Sequence, residues 1–439
     1  MQTGLEGVAA KARADKKLVF TSLAHHVTRK LVKESLNHIP LGTAPGIDGV
    51  DVGTARETFD QWIEGMETSI HRKSYKAPAV RRVWIPKPGK TEKRPIGVPC
   101  VADRALQRSV ANVLSAIYEE DFLNCSFGGR PGRGQHNALL TIDKIIMKQK
   151  VNWVLEADLK NFFGSLDHGW LLRFVEHRVG DPRILSLIRK WLKAGVMEDG
   201  EYERSEIGVP QGGSISVLMS NVYLHYVLDL WFEIAIKPRL EGECYLIRYI
   251  DDFIVCFEQK RDARRFMEVL EKRLAKFSLT LEPSKTRLIE FGKFAERNAK
   301  AEGKKPDTMY FLGFTHYCTT SRKGRFQVGR KTEKNRMKRS VSNLQDKMRE
   351  IRHWKVNEQI DRINLMLRGH YNYYGVGGNY YALDKVYNCA RRFLKKMLSS
   401  RSRKGLVTWE LFDKIMKKHP ILRPYIKIPY SEFKNYAML

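Results

Sequence analysis

Apolar positions recur every four residues through Val19, Leu23, Val27 and Leu31, so residues 1–40 read as helical up to Pro40. The same period predicts helices over 55–75, from Asp103 to about Tyr118, over 183–195, from Ser216 to Ile236 and from Arg261 to Phe277. It returns through the basic run Arg330 to Arg352 and in the stretch up to about Arg401. Other segments are too short and too rich in β-formers for a helix. Val151 to Leu159 reads as a buried strand, Leu279 to Phe291 and Phe311 to Phe314 as further strands, and Arg81 to Pro99 as a hairpin with its tip at Pro88 to Thr91. Residues 292–308 are polar and basic and predict a flexible loop, while Leu406 to Leu439 reads as one helical piece and an extended tail.

One strand pair interrupts its own pattern. Tyr245 to Ile250 and Phe253 to Phe257 are apolar arms around Asp251-Asp252. Two adjacent anions in an apolar hairpin are costly unless a cation compensates them. For an all-oxygen site that cation is Mg²⁺. Most Asp-Asp pairs are only turn residues, so the reading needs a third carboxylate. Asp158 supplies it at the end of the Val151–Leu159 strand, followed by Phe162 and Phe163. Asp167, ahead of His168-Gly169-Trp170, reads as a helix N-cap instead.

Charge then narrows the partner. The 439 residues hold 78 Lys plus Arg against 49 Asp plus Glu, a formal charge of +29. So large an excess, spread along the chain, calls for a polyanion in a long groove. A membrane partner is not expected, because no apolar run approaches the roughly 20 residues that span a bilayer. Residues 1–20 carry charges throughout, and six scattered cysteines include no CxxC pair. These features predict a cytoplasmic protein with reduced thiols and no zinc site.

Loops between the elements carry further candidate chemistry. Lys87 and Arg94 flank the hairpin tip, placed to clamp a triphosphate. Arg130 and Arg133 lie among small residues in Ser126 to Gly134, which suits backbone phosphates. Ile207 to Ser214 is a tight loop containing Gln211. Lys334, Arg336, Lys338 and Arg339 lie in the basic helical run, and Arg368 and Tyr371 interleave charge with aromatic rings, as a surface tracking a nucleic-acid backbone requires. Tyr373 and Tyr374 read as core packing.

In this order the motifs resemble the reverse transcriptases of bacterial group II introns and their free-standing relatives. The resemblance is carried by Ala44-Pro45-Gly46-Ile47-Asp48-Gly49, Arg94 to Pro99 with Asp103-Arg104, and Phe127 to Pro131. It continues through Pro210-Gln211-Gly212-Gly213, Tyr249-Ile250-Asp251-Asp252, Leu281 to Thr286, Phe311 to Phe314, and the maturase-like Arg368 to Tyr374. It implies an α+β right-hand polymerase: an N-terminal extension over 1–50, fingers and palm over 51–318, a helical thumb over 319–405, and a C-terminal segment over 406–439. It also implies extension of a primer 3′-OH with dNTPs on an RNA or DNA template. Two Mg²⁺ ions, or Mn²⁺, about 3.5–4 Å apart would do the chemistry. Asp158 and Asp251 become the main ligands and Asp252 a supporting one. Lys87 and Arg94 grip the triphosphate, Phe162 or Phe163 packs under the sugar, and Gln211 lies near the nascent pair. Tyr249 and Ile250 meet the primer terminus, and Lys285 is a candidate for protonating pyrophosphate.

The chain departs from the intron-encoded pattern at three places. Ile250 replaces the usual Ala, Ser214-Ile215-Ser216-Val217 replaces the usual prolines, and Phe162-Phe163-Gly164 replaces Phe-Phe-Asp. No His/Cys-rich endonuclease module follows the thumb motif. The metal ligands are spared, so catalysis is expected to be intact, while the departures suggest a protein no longer tuned to intron mobility: a free-standing, host-serving enzyme, with repair of DNA breaks by annealing short homologies and filling in as its role. Two other readings stand beside it: a maturase bound to its own group II intron RNA, and a non-catalytic nucleic-acid-binding protein. Oligomeric state is left open, a homodimer included.

Overall fold

The structure is a computed structural model that describes residues 3–436 apart from 87–91, 199, 205, 210, 211, 214, 322 and 402–405. Lys87 and Gln211 lie outside the described residues. Among these residues there are eleven strands: β1 (Val80–Pro86), β2 (Lys93–Val98), β3 (Trp153–Ala157), β4 (Val196–Glu198), β5 (Glu201–Glu203), β6 (Cys244–Tyr249), β7 (Asp252–Phe257), β8 (Arg287–Glu290), β9 (Thr308–Phe311), β10 (Phe314–Thr320) and β11 (Phe326–Thr332). They form a central sheet in the order β6-β7-β3-β8, an outer sheet β2-β1-β4-β5, and a three-stranded sheet β11-β10-β9. Every central pairing is antiparallel. Helices surround the sheets in an α+β arrangement.

The central strands read as nearly continuous apolar runs because both of their faces are covered. Leu155, Leu246, Phe253, Val255 and Phe257 enter one core, built with helices that include Val101–Asp121 and Ser216–Leu224. Val154, Ile247, Ile254, Cys256 and Ile289 enter a second core, shared with the helix Gln135–Lys148 and the three-stranded sheet. Each strand sends alternate side chains to each core, as a period of two requires. A third core lies within the helices Lys334–Glu350, Val356–Tyr374, Tyr380–Ser399 and Trp409–Lys418.

Several expectations give way to tertiary contacts. Residues 1–40 are not one helix. Helices run over Thr3–Ala14 and Arg29–Asn37, with only a short 3-10 turn at Ala24–His26 between them. The buried Asp181 carboxylate accepts from the Leu23 and Ala24 amides (2.7 and 2.8 Å), and Phe20 pairs with Val179. These partners outcompete helix extension. Lys285 sits in a 3-10 turn opened by Pro283, so the predicted strand is real only over Arg287–Glu290. Phe311 to Phe314 is a tight hairpin turn, with Leu312 and Gly313 at φ of 49° and 78°. The loop expected over 292–308 contains the helix Ala295–Ala301, whose Ala295 enters the second core. Strands β4, β5 and β11 are absent from the sequence reading.

The expected boundaries also meet continuous packing. Leu5, Val8, Leu31 and Leu36 of the N-terminal extension belong to the first core. Position 318 falls inside β10, and β11 continues the same sheet to Thr332. Phe433 and Ile428, near the C-terminal end, pack against the second core. Among the described residues no helix is long and apolar enough to cross a membrane.

Candidate active site

Asp158 follows β3 directly, and β3 pairs with β7 so that Ala157 faces Phe253. Continuing that register brings Asp158 opposite Asp252, the first residue of β7. The tight connection Ile250-Asp251 joins β6 to β7, with Tyr249 paired to Asp252. The three expected carboxylates therefore converge at one end of the central sheet. By strand alternation Asp158 shares a face with Glu156, and Asp252 shares it with Ile254, the face of the second core.

Proximity shows in the electrostatics. Burial, then Asp158 and Asp251, push the Asp252 carboxyl up to about 8. Burial and the Asp158 charge also raise Asp251, against the opposing pull of Lys285 and Arg94. Arg94, on exposed β2, thus projects its charge onto the carboxylate turn from the outer sheet. The Lys285 ammonium is salt-bridged to Asp158, whose side chain is 21% exposed. Behind them the buried Glu156 accepts from the Arg287 guanidinium and the Tyr310 amide, which ties β3 to β8 and β9.

The donor set suits a hard cation. It is all carboxylate oxygen, it is crowded enough to resist full ionisation, and it already draws a lysine ammonium. Among the described residues, no three carboxylate, His or Cys side chains stand close enough to hold an ion as they are. Asp158 would have to exchange Lys285 for the metal.

The neighbouring aromatics divide in two. Phe162 is buried at 2% exposure within the first core, so it cannot lie under a sugar. Phe163 is half-buried, edge-on to Phe162 at 5.4 Å, and its carbonyl accepts from the Val209 amide (2.7 Å). Asn161, just before them, has a left-handed φ of 46° that turns the chain after Asp158. Asp167 caps its helix as expected, accepting from the Trp170 amide at 2.8 Å.

Three expected nucleic-acid contacts fare differently. Tyr371 is fully buried in the third core and donates to the Leu422 carbonyl, so it is a packing residue. Arg130 is also spent internally, on Glu119 (3.0 Å) and the Leu123 and Ser126 carbonyls, with its guanidinium over Phe122. It folds its own loop and presents no free charge to phosphate. Arg133, in contrast, is half-buried, reaching Asn124 with its guanidinium over the Phe127 ring. Lys334, Arg336, Lys338 and Arg368 are exposed, while Arg339 is half-buried against the Asn335 carbonyl. Tyr373 and Tyr374 pack in the core as read, Tyr373 stacked on Phe314 and donating to Leu312.

Sequence reasoning missed the residues that shape the turn. Phe127 and Arg248 exchange backbone bonds with one another's neighbourhoods (Phe127 N to Arg248 O 2.9 Å, Arg248 N to Cys125 O 2.8 Å). This lays the Ser126–Gly129 loop against β6. A Cβ on Gly128 would lie 2.6 Å from the Ile250 side chain and 2.7 Å from its amide nitrogen. The available signal was Arg248 itself, a charge inside an apolar strand.

With the geometry in place, comparisons with known proteins identify the framework. Residues 85–316, just over half of the chain, match the reverse transcriptase (RNA-dependent DNA polymerase) family model. The group II intron-encoded protein LtrA of Lactococcus lactis subsp. cremoris is 28% identical over 303 residues, 66% of this chain and 50% of that protein. Protein YkfC of Escherichia coli is 34% identical over 184 residues, 41% of this chain and 48% of that one. An uncharacterized 91 kDa protein in cob intron of Schizosaccharomyces pombe is 34% identical over 187 residues, 43% of this chain and 22% of that protein. The chain spans about half the length of the first two relatives. The family match includes β2, β3, the β6–β7 turn and the β9–β10 hairpin, so this chain belongs to the reverse transcriptases, in their group II intron-like branch.

Proposed function

We propose that the protein is a template-directed DNA polymerase that extends a primer 3′-OH with dNTPs on RNA or DNA. The observation that carries this reading is the convergence of Asp158 with the Asp251-Asp252 turn, beneath the charges of Arg94 and Lys285. The central sheet corresponds to a palm, the outer sheet to fingers, and the third core to a thumb.

Asp158 and Asp251 would hold Mg²⁺, or Mn²⁺, with Asp252 in support. When bound, the metal supplies charge neutralisation for the incoming triphosphate and acidifies the primer hydroxyl. Arg94 meets the triphosphate from the fingers side, and the expected roles of Lys87 and Gln211 fall on residues outside those described. The primer oxygen attacks the α-phosphorus, the bond to the β-phosphate oxygen breaks, and pyrophosphate leaves. The hydroxyl proton passes to solvent. Lys285, released from Asp158, is placed to neutralise or protonate the departing pyrophosphate. Phe163, rather than Phe162, presents an edge to the sugar. Exposed Lys334, Arg336, Lys338 and Arg368 follow the duplex backbone without reading bases.

In the cell we favour filling in annealed short homologies at DNA breaks, in keeping with the three departures from the intron-encoded pattern. Similarity to a group II intron-encoded protein supports a second reading, a maturase that binds intron RNA.

Primer extension on matched RNA and DNA templates, with Mg²⁺ or Mn²⁺ and beside Asp251→Ala, tests the proposal. Metal-dependent synthesis that vanishes in the variant is the expected result. Duplex binding without any nucleotide addition by the wild type would leave a non-catalytic binding protein. Joining of 3′ overhangs that share a few complementary bases would favour repair, and tight binding to a group II intron RNA would favour the maturase.

A further inference from the structure

Arg248 is fully buried on β6, three residues before Asp251. Its guanidinium has five N–H donors, and five bonds use them. Nε and Nη2 form a fork on Asp229 (2.7 and 2.6 Å), Nη2 also reaches Ser126 Oγ (2.8 Å), and Nη1 reaches Asn221 Oδ1 (2.9 Å) and the Ile250 carbonyl (2.9 Å). Asp229 is itself fully buried, at the end of a π-helical stretch, His225–Asp229, within the helix that covers the sheet. Asn221 in turn donates to the Gly128 carbonyl at 2.8 Å.

A buried ion pair is weak evidence for stability, because apolar residues of similar volume often do as well. No apolar residue could hold the Ile250 carbonyl. That carbonyl belongs to a β-branched residue at φ 60°, a left-handed conformation that such side chains disfavour. It persists only where the surroundings over-determine it. Ile250 is the residue between Tyr249 and the first carboxylate, so its conformation sets where Asp251 and Asp252 point.

We propose that Arg248 is the positioning residue of the carboxylate turn: anchored on Asp229, it fixes the Ile250 carbonyl and so keeps the turn in the left-handed conformation that aims both aspartates. The role deepens the polymerase reading and rests on it. Arg248 does not touch substrate; it acts through Ile250.

The test is a double-mutant cycle in the full-length protein, with Arg248→Lys and Ile250→Gly alone and together. Lysine keeps the charge but loses the fork, whereas glycine adopts φ 60° without strain and makes the turn self-supporting. Steady-state primer extension is read beside duplex affinity and melting temperature. Arg248→Lys should lower kcat by on the order of 10- to 100-fold, as a misplacement of about 1 Å does, with KM for dNTP and duplex affinity within about twofold. In the Ile250→Gly background the same substitution should cost at least about fivefold less. An unchanged kcat in folded Arg248→Lys, or an equal loss in both backgrounds, would overturn the role. If Arg248→Lys does not fold, Asn221→Ala replaces it: it takes one partner from Nη1, and the same attenuation by Ile250→Gly is required. A wild type that adds no nucleotide sinks the polymerase reading itself, whereas an active wild type with an uncoupled cycle sinks only the positioning role.

Discussion

At the scale of single residues, the carboxylate turn is under electrostatic load. Asp252 is held protonated up to about 8 by burial and by two neighbouring anions. The unfolded chain releases that proton near the ordinary carboxylate value, around 4. Between about pH 4 and 8 the unfolded state therefore binds fewer protons, and metal-free stability at this site falls as pH rises. Asp252→Asn removes the like charge, so it should stabilise the metal-free protein at pH 8 by on the order of 1 kcal/mol while lowering synthesis. Thermal melts with chelator at pH 5 and pH 8 check this, and the variant's gain should shrink at the lower pH. A gain that is larger at pH 5 contradicts the account.

The two phenylalanines separate by burial in the same way. Phe162→Ala empties a core position and should cost about 3–5 kcal/mol. Phe163→Ala should cost far less, and its effect should appear as weaker discrimination between dNTPs and rNTPs. Urea melts and competition extension assays read the two outcomes. Equal stability losses would show that both rings are only packing.

At the scale of elements, the hairpin and the Ser126–Gly129 loop are one unit. Gly128 has no room for a side chain because the Ile250 backbone lies where a Cβ would go. Gly128→Ala must therefore push the turn outward. Overpacking of this kind costs about 1–3 kcal/mol, and primer extension should fall at least tenfold although Gly128 is not a ligand. Extension at the wild-type rate would show that the loop can retreat freely. Loop and hairpin were both legible as motifs in the sequence. Their contact was not, because nothing in a linear pattern says which loop lies along which strand edge.

At the scale of the whole molecule, charge and fold meet on the helical C-terminal unit. Its exposed Lys334, Lys338 and Arg368 belong to the +29 excess and present it to solvent. Duplex affinity should fall linearly in its logarithm with log salt, and removing a lysine that contacts phosphate should reduce the slope by about 1. Titrations of Lys334→Ala and Lys338→Ala at several salt concentrations measure it, alongside Tyr371→Phe. The tyrosine variant should leave the slope unchanged, because its ring is buried and its hydroxyl meets Leu422. A slope change in Tyr371→Phe alone would contradict the division between surface and core.

What the sequence determined by itself was most of the strands and helices long enough to show their period, the three acids Asp158, Asp251 and Asp252 that the fold brings together, and a charge excess from which the polyanionic partner is proposed. Two adjacent acids between apolar arms, and a third at a strand end, carry a cost that only function explains, so they are visible without coordinates. The structure decided what depends on distant neighbours. Asp181 takes the Leu23 and Ala24 amides in the stretch between two helices, core packing withdraws Phe162, Arg130 and Tyr371 from the surface, and Arg248 becomes the support of the turn. Hydrogen-bond partners and burial are properties of the packed chain, and period alone cannot report them. Even the left-handed Ile250 is written nowhere in its own side chain, which disfavours that conformation; the buried Arg248 network holds it there.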